Sequence, residues 1–189
     1  MYIERYLLLA LMFGSPLTRA EILETVDYIK YPVRHEVGTS LARAINSATP
    51  VSVGHMKYYS HTRWDMQWRY TYDKTSDLRT CKVKSLYVTL KATITLPELS
   101  SKDDKVIAQF NNYLQALKKH ELGHLQIAQE AAKKIESNLL AHPALPSCEI
   151  LKAALNENGL ALTEEAKTQG VQYDAQTRHG QTQGAYLPD

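Results

Sequence analysis

The residues whose types and spacing point most directly to chemistry are His120, Glu121 and His124, in the run Lys119-His120-Glu121-Leu122-Gly123-His124-Leu125. On a helix, residues four apart share one face. His120 and His124 can therefore aim two imidazole nitrogens at one point. Glu121 stands one step round the helix, badly placed to bind the same ion but well placed to touch a water bound to it. Two ligands, an open coordination position and a carboxylate beside it are what metal-assisted hydrolysis needs. The plainer reading is a solvated face that happens to carry two histidines. The neighbours argue against it. Phe110, Leu114, Leu117, Ile127, Ala131 and Ile135 recur at helical spacing, and the histidines continue that stripe. Imidazoles on a core-facing stripe need partners, because unsatisfied buried polar groups are costly, and a metal ion is one such partner.

A catalytic zinc usually takes three protein ligands and leaves one position for water. The third must come from outside this helix. Downstream stand His142, Glu164, Glu165, Asp174 and His179. His142 follows the helix too closely to fold back, and Pro143 beside it suggests a turn. The stretch Tyr173 to Gly180 is the most suggestive: it ends a helix with His179, then a glycine able to turn sharply. His179 could instead be a cation at a helix C-terminus, favoured by the dipole. Tyr173 could donate to a developing oxyanion, or simply pack. The isolated His55 and His61 read as surface or packing residues.

These groups must be carried by elements the chain can form. Residues 21–34 are rich in β-branched and aromatic side chains and suggest one or two short strands. Thr39 to Ser47 suggests a short helix, and 51–60 is ambiguous between strand and loop. From Trp64 to Tyr72 large apolar residues alternate with polar ones. Residues 73–79 are a polar turn, and Leu86 to Leu96 alternate again, so the two stretches predict an antiparallel hairpin ending at Pro97. Ser101 to Leu140 predicts one long helix, capped by Ser101 with Asp103 and Asp104 in the first turn. Two further helices are expected, at about 149–156 and 163–177, separated at Asn158-Gly159. The whole predicts an α+β domain: a small antiparallel sheet of about four strands packed on the long His-Glu-x-x-His helix, with C-terminal helices closing the site.

Lys and Arg number 22 against 20 Asp and Glu, so the charge balance leaves no footprint for nucleic acid. The start reads as a secretory signal peptide over residues 1–20: Arg5, an apolar run from Tyr6 to Phe13, breakers at Gly14 to Pro16, and a small residue at Ala20. The apolar run is too short to span a bilayer. Residues 21–189 then form a single domain, expected to be monomeric, with a periplasmic or extracellular location. Two cysteines, Cys81 and Cys148, fit export, since an oxidising compartment would let them pair.

In its leader, the Trp64-to-Trp68 strand, the Cys81 strand ending at Leu96-Pro97, the His120-Glu-Leu-Gly-His124 helix, Cys148, and Tyr173…Thr177-x-His179-Gly180, the chain resembles a bacterial family of predicted secreted zinc-dependent proteases, long catalogued as a domain of unknown function. The resemblance implies a zincin-like peptidase with three histidines, His120, His124 and His179, on Zn²⁺. Glu164, Glu165 and Asp174 remain the other choices for third ligand. The expected chemistry is hydrolysis of peptide or amide bonds in a peptide or protein substrate, with Glu121 as general base. The competing expectation is an exported binding module whose zinc is structural or vestigial, acting on a cell-envelope partner. An amidase of peptidoglycan cross-links would share the metal chemistry and differ in substrate.

Overall fold

The computed structural model describes residues 19–74 and 79–188. The signal peptide expectation falls on residues 1–18, outside the described residues, and on Arg19 and Ala20, which open the first strand. The elements run β1 (Arg19–Arg34), α1 (Leu41–Ala48), β2 (Ser52–Val53), β3 (Met56–Lys57), β4 (His61–Lys74), β5 (Cys81–Ser100), α2 (Asp104–Leu140) and α3 (Cys148–Thr177), then a 3₁₀ turn at Gln181–Gln183. The class is α+β, as expected: a small sheet lies on one long helix that carries His120 and His124.

The sheet differs from expectation in two respects, strand direction and strand number, which is three rather than about four. It is mixed, not antiparallel: three long strands in the order β1-β5-β4, with β4 antiparallel to β5 and β1 parallel to it. Alternation reports that a segment is a strand but is blind to the direction of its neighbour. β1 pairs in continuous register from Arg19↔Ser85 to Arg34↔Ser100. The chain returns to that register only after α1, the β2–β3 ribbon and β4. Pro97 does not end β5, which runs on to Ser100. The β4 ladder begins at His61↔Thr95, so Pro97 lies where β5 has a neighbour on one side only. That is a place where a strand tolerates a residue without an N–H.

Period-two patterning gives β5 one dry face: Leu86, Val88, Leu90 and Ile94 are fully buried, while Lys82, Lys84 and Lys91 are exposed. Against that face lies α2. Its cap is Asp103 rather than Ser101: Asp103 Oδ1 accepts from the backbone N–H of Lys105 at 2.9 Å, and Ser101 Oγ accepts from Asp103 N at 3.1 Å. Along α2 the buried stripe runs Phe110, Tyr113, Leu117, His120, Glu121, Leu125, then Ala128 to Leu139. Its first half packs with α1 and the C-terminal Ala185 and Leu187. Its second half packs with α3 and the far end of β5. His120 and Glu121 lie within the first half, between Leu117 and Leu125.

The two expected C-terminal helices are one, α3, with its N-cap at Ser147. Gly159 does not break it. A Cβ there would stand 2.5 Å from Trp68 Cζ2, so the glycine admits the indole rather than ending the helix. Cys81 and Cys148 form the expected disulfide, joining the start of β5 to the start of α3. No helix among the described residues is long and apolar enough to cross a membrane.

Candidate metal centre

Helical spacing brings His120 and His124 together as expected, with ring centroids 4.9 Å apart. The antiparallel return of α3 supplies the group between them. Asp174 Oδ1 lies 3.1 Å from His120 Nε2 and 3.0 Å from His124 Nε2. One donor atom from each of His120, His124 and Asp174 falls within 4.8 Å of the others. His179 stands one step outside. Its Nδ1 is 3.4 Å from the same Asp174 oxygen, its side chain is 55% exposed, and its ring lies 5.3 Å from that of Tyr58.

The outward swing of His179 has a backbone cause. α3 ends at Thr177, and Arg178, His179 and Gly180 all take left-handed conformations, with φ of 50°, 53° and 82°. Asp174, inside the helix, keeps facing α2. The remaining candidates lie elsewhere. Glu164 pairs with Lys167 and Glu165 with Lys134 on the exposed side of α3. His142 follows the far end of α2 and donates from Nδ1 to its neighbour's carbonyl, Pro143 O, at 2.9 Å.

Glu121 is almost fully buried, at 3% exposure. The start of β4 holds it: the Ser60 hydroxyl donates to Oε1, and Thr62 Oγ1 donates to Oε2 at 2.6 Å. Ser60 and Thr62 share the parity of Trp64 and Met66, so they occupy the sheet face that meets α2. Two hydroxyls on an otherwise apolar face are the signal that could have revealed them in the sequence. His61, exposed as its reading as a surface or packing residue expects, borders the cleft with Glu121, His124 and Asp174. The cleft has a volume of about 710 Å³ and is bounded by Tyr58, Val171 and Tyr186 at its rim. Tyr173 is absent from that lining. Its hydroxyl donates to the His120 carbonyl at 3.3 Å and accepts from Gln183 Nε2 at 3.0 Å, behind the His120 ring.

Electrostatics follow from these contacts. Burial works against charge on His120, but the hydrogen bond to Asp174 and the nearby Glu121 carboxylate outweigh it, and the His120 pKa is raised. Burial would raise Asp174, yet its hydrogen bonds from His120 and His124 hold its carboxyl well below the ordinary range. His61 is lowered, chiefly by burial, with Glu121 opposing. The donor set of two imidazole nitrogens and one carboxylate oxygen matches the chemistry by which proteins hold a catalytic zinc, and the three atoms are close enough for one ion. The residues present therefore fit the expected metal.

The family model described as "Bacterial protein of unknown function (DUF922)" matches residues 28–180. The chain belongs to this family. The DUF922 match takes in β4, β5, both long helices and every residue of the proposed donor set, and it ends at Gly180. No curated protein matches the chain, and no solved structure does.

Proposed function

We propose that this DUF922 domain is an exported, zincin-like hydrolase of peptide or amide bonds, with His120, His124 and Asp174 holding a zinc ion and Glu121 serving as general base. One observation carries the reading: three metal-binding donor atoms converge beside a buried carboxylate that the fold clamps in place. Zinc at these donors would bring the pKa of a bound water to about 7 and polarise a substrate carbonyl. Glu121 takes the proton of the attacking water on a carboxylate oxygen and passes it to the leaving amine. Ser60 and Thr62 fix its rotamer while each oxygen keeps a lone pair for that transfer. The leader-like start and the Cys81–Cys148 disulfide support export to an oxidising compartment.

A rival reading, an exported binding module with a structural ion, draws on His179. Its Nδ1 approaches Asp174 Oδ1 closely enough to close a fourth vertex. The deciding experiment measures zinc stoichiometry, zinc coordination by X-ray absorption, and hydrolysis of a mixed peptide pool. Glu121→Gln is expected to keep one zinc and lose at least 100-fold in turnover. Asp174→Ala is expected to weaken zinc binding by at least 100-fold, and His179→Ala by less than tenfold. Four protein ligands and no water on the zinc would refute the hydrolase. Reversed effects of the last two variants would give the third position to His179.

A further inference from the structure

The two imidazoles of this centre are held differently. His124 turns Nε2 to Asp174. His120 is held at both ring nitrogens: Nε2 faces Asp174, and Nδ1 lies 3.1 Å from Gln183 Oε1. From Nδ1 the bonds close into a ring. His120 Nδ1–H donates to Gln183 Oε1, Gln183 Nε2 donates to Tyr173 Oη at 3.0 Å, and Tyr173 Oη donates to the His120 carbonyl at 3.3 Å. With the Gln183 amide oriented so that Oε1 faces Nδ1 and Nε2 faces Tyr173 Oη, the ring runs in one direction and puts the proton on Nδ1. Thr177 Oγ1, which gives its own proton to the Tyr173 carbonyl, lies 3.4 Å from the same nitrogen as a second acceptor. With its Nδ1 proton kept by Gln183, the imidazole can give up the Nε2 proton that Asp174 accepts here, leaving a lone pair on Nε2 for a metal ion.

We propose that Gln183 is a positioning residue for the metal: it holds His120 as the Nδ1–H tautomer and so presents Nε2 as a ligand. This rests on the metal reading above. The backbone around Gln183 supports it. Left-handed residues cost about 1 kcal/mol each when they are not glycine, and the turn has two, Arg178 and His179, before Gly180. A Cβ on Gly180 would come within 3.0 Å of His120 Cγ, and the Gly180 N–H donates to Thr177 Oγ1 at 3.2 Å. The turn is thus pressed against the His120 ring, and the 3₁₀ turn after it delivers Gln183 behind that ring. Strained turns persist where surrounding contacts over-determine them, and here those contacts converge on one imidazole.

The test is zinc affinity by competition with a chelator, on the full chain, alongside long-range ¹H–¹⁵N spectra of the zinc-loaded protein. Gln183→Ala is expected to weaken zinc binding about 10- to 100-fold and to abolish the protected His120 Nδ1–H signal. Gln183→Glu, which keeps an acceptor at the same reach, is expected to restore affinity to within about threefold of the parent. If Gln183→Ala loses its cooperative melt, Gln183→Met, which keeps the chain length without an amide, is read in its place. A parent that binds zinc, with an alanine or methionine variant of equal affinity, overturns this inference alone. A parent that takes up no zinc sinks the metal reading and this inference with it.

Discussion

At one end of the α2–α3 pair the contacts are covalent and apolar; at the other they are polar and convergent. Near the 141–147 link, Ile135, Leu139, Leu151 and Leu155 are fully buried. There Cys148 is bonded to Cys81, and Leu145 exchanges backbone hydrogen bonds with Cys81 at 2.7 and 2.9 Å. At the far end the helices meet through Asp174, Tyr173 and Thr177 around His120 and His124. Apolar burial is satisfied by any close neighbour and needs no ligand. Two imidazoles aimed at one carboxylate oxygen are a different case, since the same lone pairs can serve an ion. The dry end fixes where α3 lies; the polar end uses that placement to hold a donor set in register.

The largest effect should come from cutting the covalent end. Paired replacement of Cys81 and Cys148 by alanine opens a loop with a sequence separation of 67 residues. The chain-entropy model puts the loss near 4 kcal/mol of unfolding free energy, readable in urea. Zinc affinity of the variant while folded should stay within about twofold of the parent, because no donor side chain touches that end. A fall in zinc affinity that tracks the loss of stability would mean that the two ends are not separable.

The same contrast explains what was legible in the sequence. His120 and His124 were readable because one helix carries both, and their period survives folding. The alternation of β5 and the cysteine pair were readable for similar reasons: one element, or one bond type, decides them. The parallel seat of β1 was not, since ladder direction leaves no trace in alternation. Gly159 suggested an ending because glycine punctuates helices, and only the position of Trp68 reveals it as a packing residue. Near the site, Asp174 and His179 are both plausible ligands by type. What separates them is a left-handed backbone at Arg178 and His179, which arginine does not announce and which histidine, though enriched there, adopts only in a small minority of cases. Gln183 acts by touching residues far along the chain, and no local pattern marks it; Ser60 and Thr62 leave only their hydroxyls on the apolar face of β4, which do not name the carboxylate they hold.

Two glycines, one in each half of the helix pair, offer an intermediate test. A Cβ on Gly123 would stand 2.1 Å from Tyr173 Oη, and one on Gly159 would stand 2.5 Å from Trp68 Cζ2. Either alanine must push an aromatic ring aside, at about 1–3 kcal/mol, partly offset by alanine's better helix propensity. Chemical denaturation should show similar losses. Zinc competition should not: Gly123→Ala displaces the hydroxyl that holds the His120 carbonyl and is expected to weaken binding several-fold. Gly159→Ala disturbs the indole bonded to Asn156 and should leave zinc affinity unchanged. Equal zinc losses would break the division between the ends.

The smallest effect concerns the core behind the site, where Tyr31 and Tyr113 lie in the same cluster as Leu117 and Leu125. Burial, assisted by Tyr59, pushes the Tyr31 phenol up to about 12, against an opposing hydrogen bond from Thr49. Burial raises Tyr113 as well. A phenol raised in the folded state loses its proton first in the unfolded chain. Its stabilising contribution is therefore complete below pH 10 and is lost as pH climbs towards 12. For Tyr31 that amounts to about 1 kcal/mol by pH 11. Thermal melts at pH 9 and pH 11 should show the drop in the parent and a smaller drop in Tyr31→Phe, whose constant cost is the donor lost to the Tyr59 carbonyl. An identical drop in both proteins would place the alkaline sensitivity elsewhere. A drop that shrinks in Tyr31→Phe, with zinc affinity at pH 9 intact, would show that this core supports the polar end without tuning it.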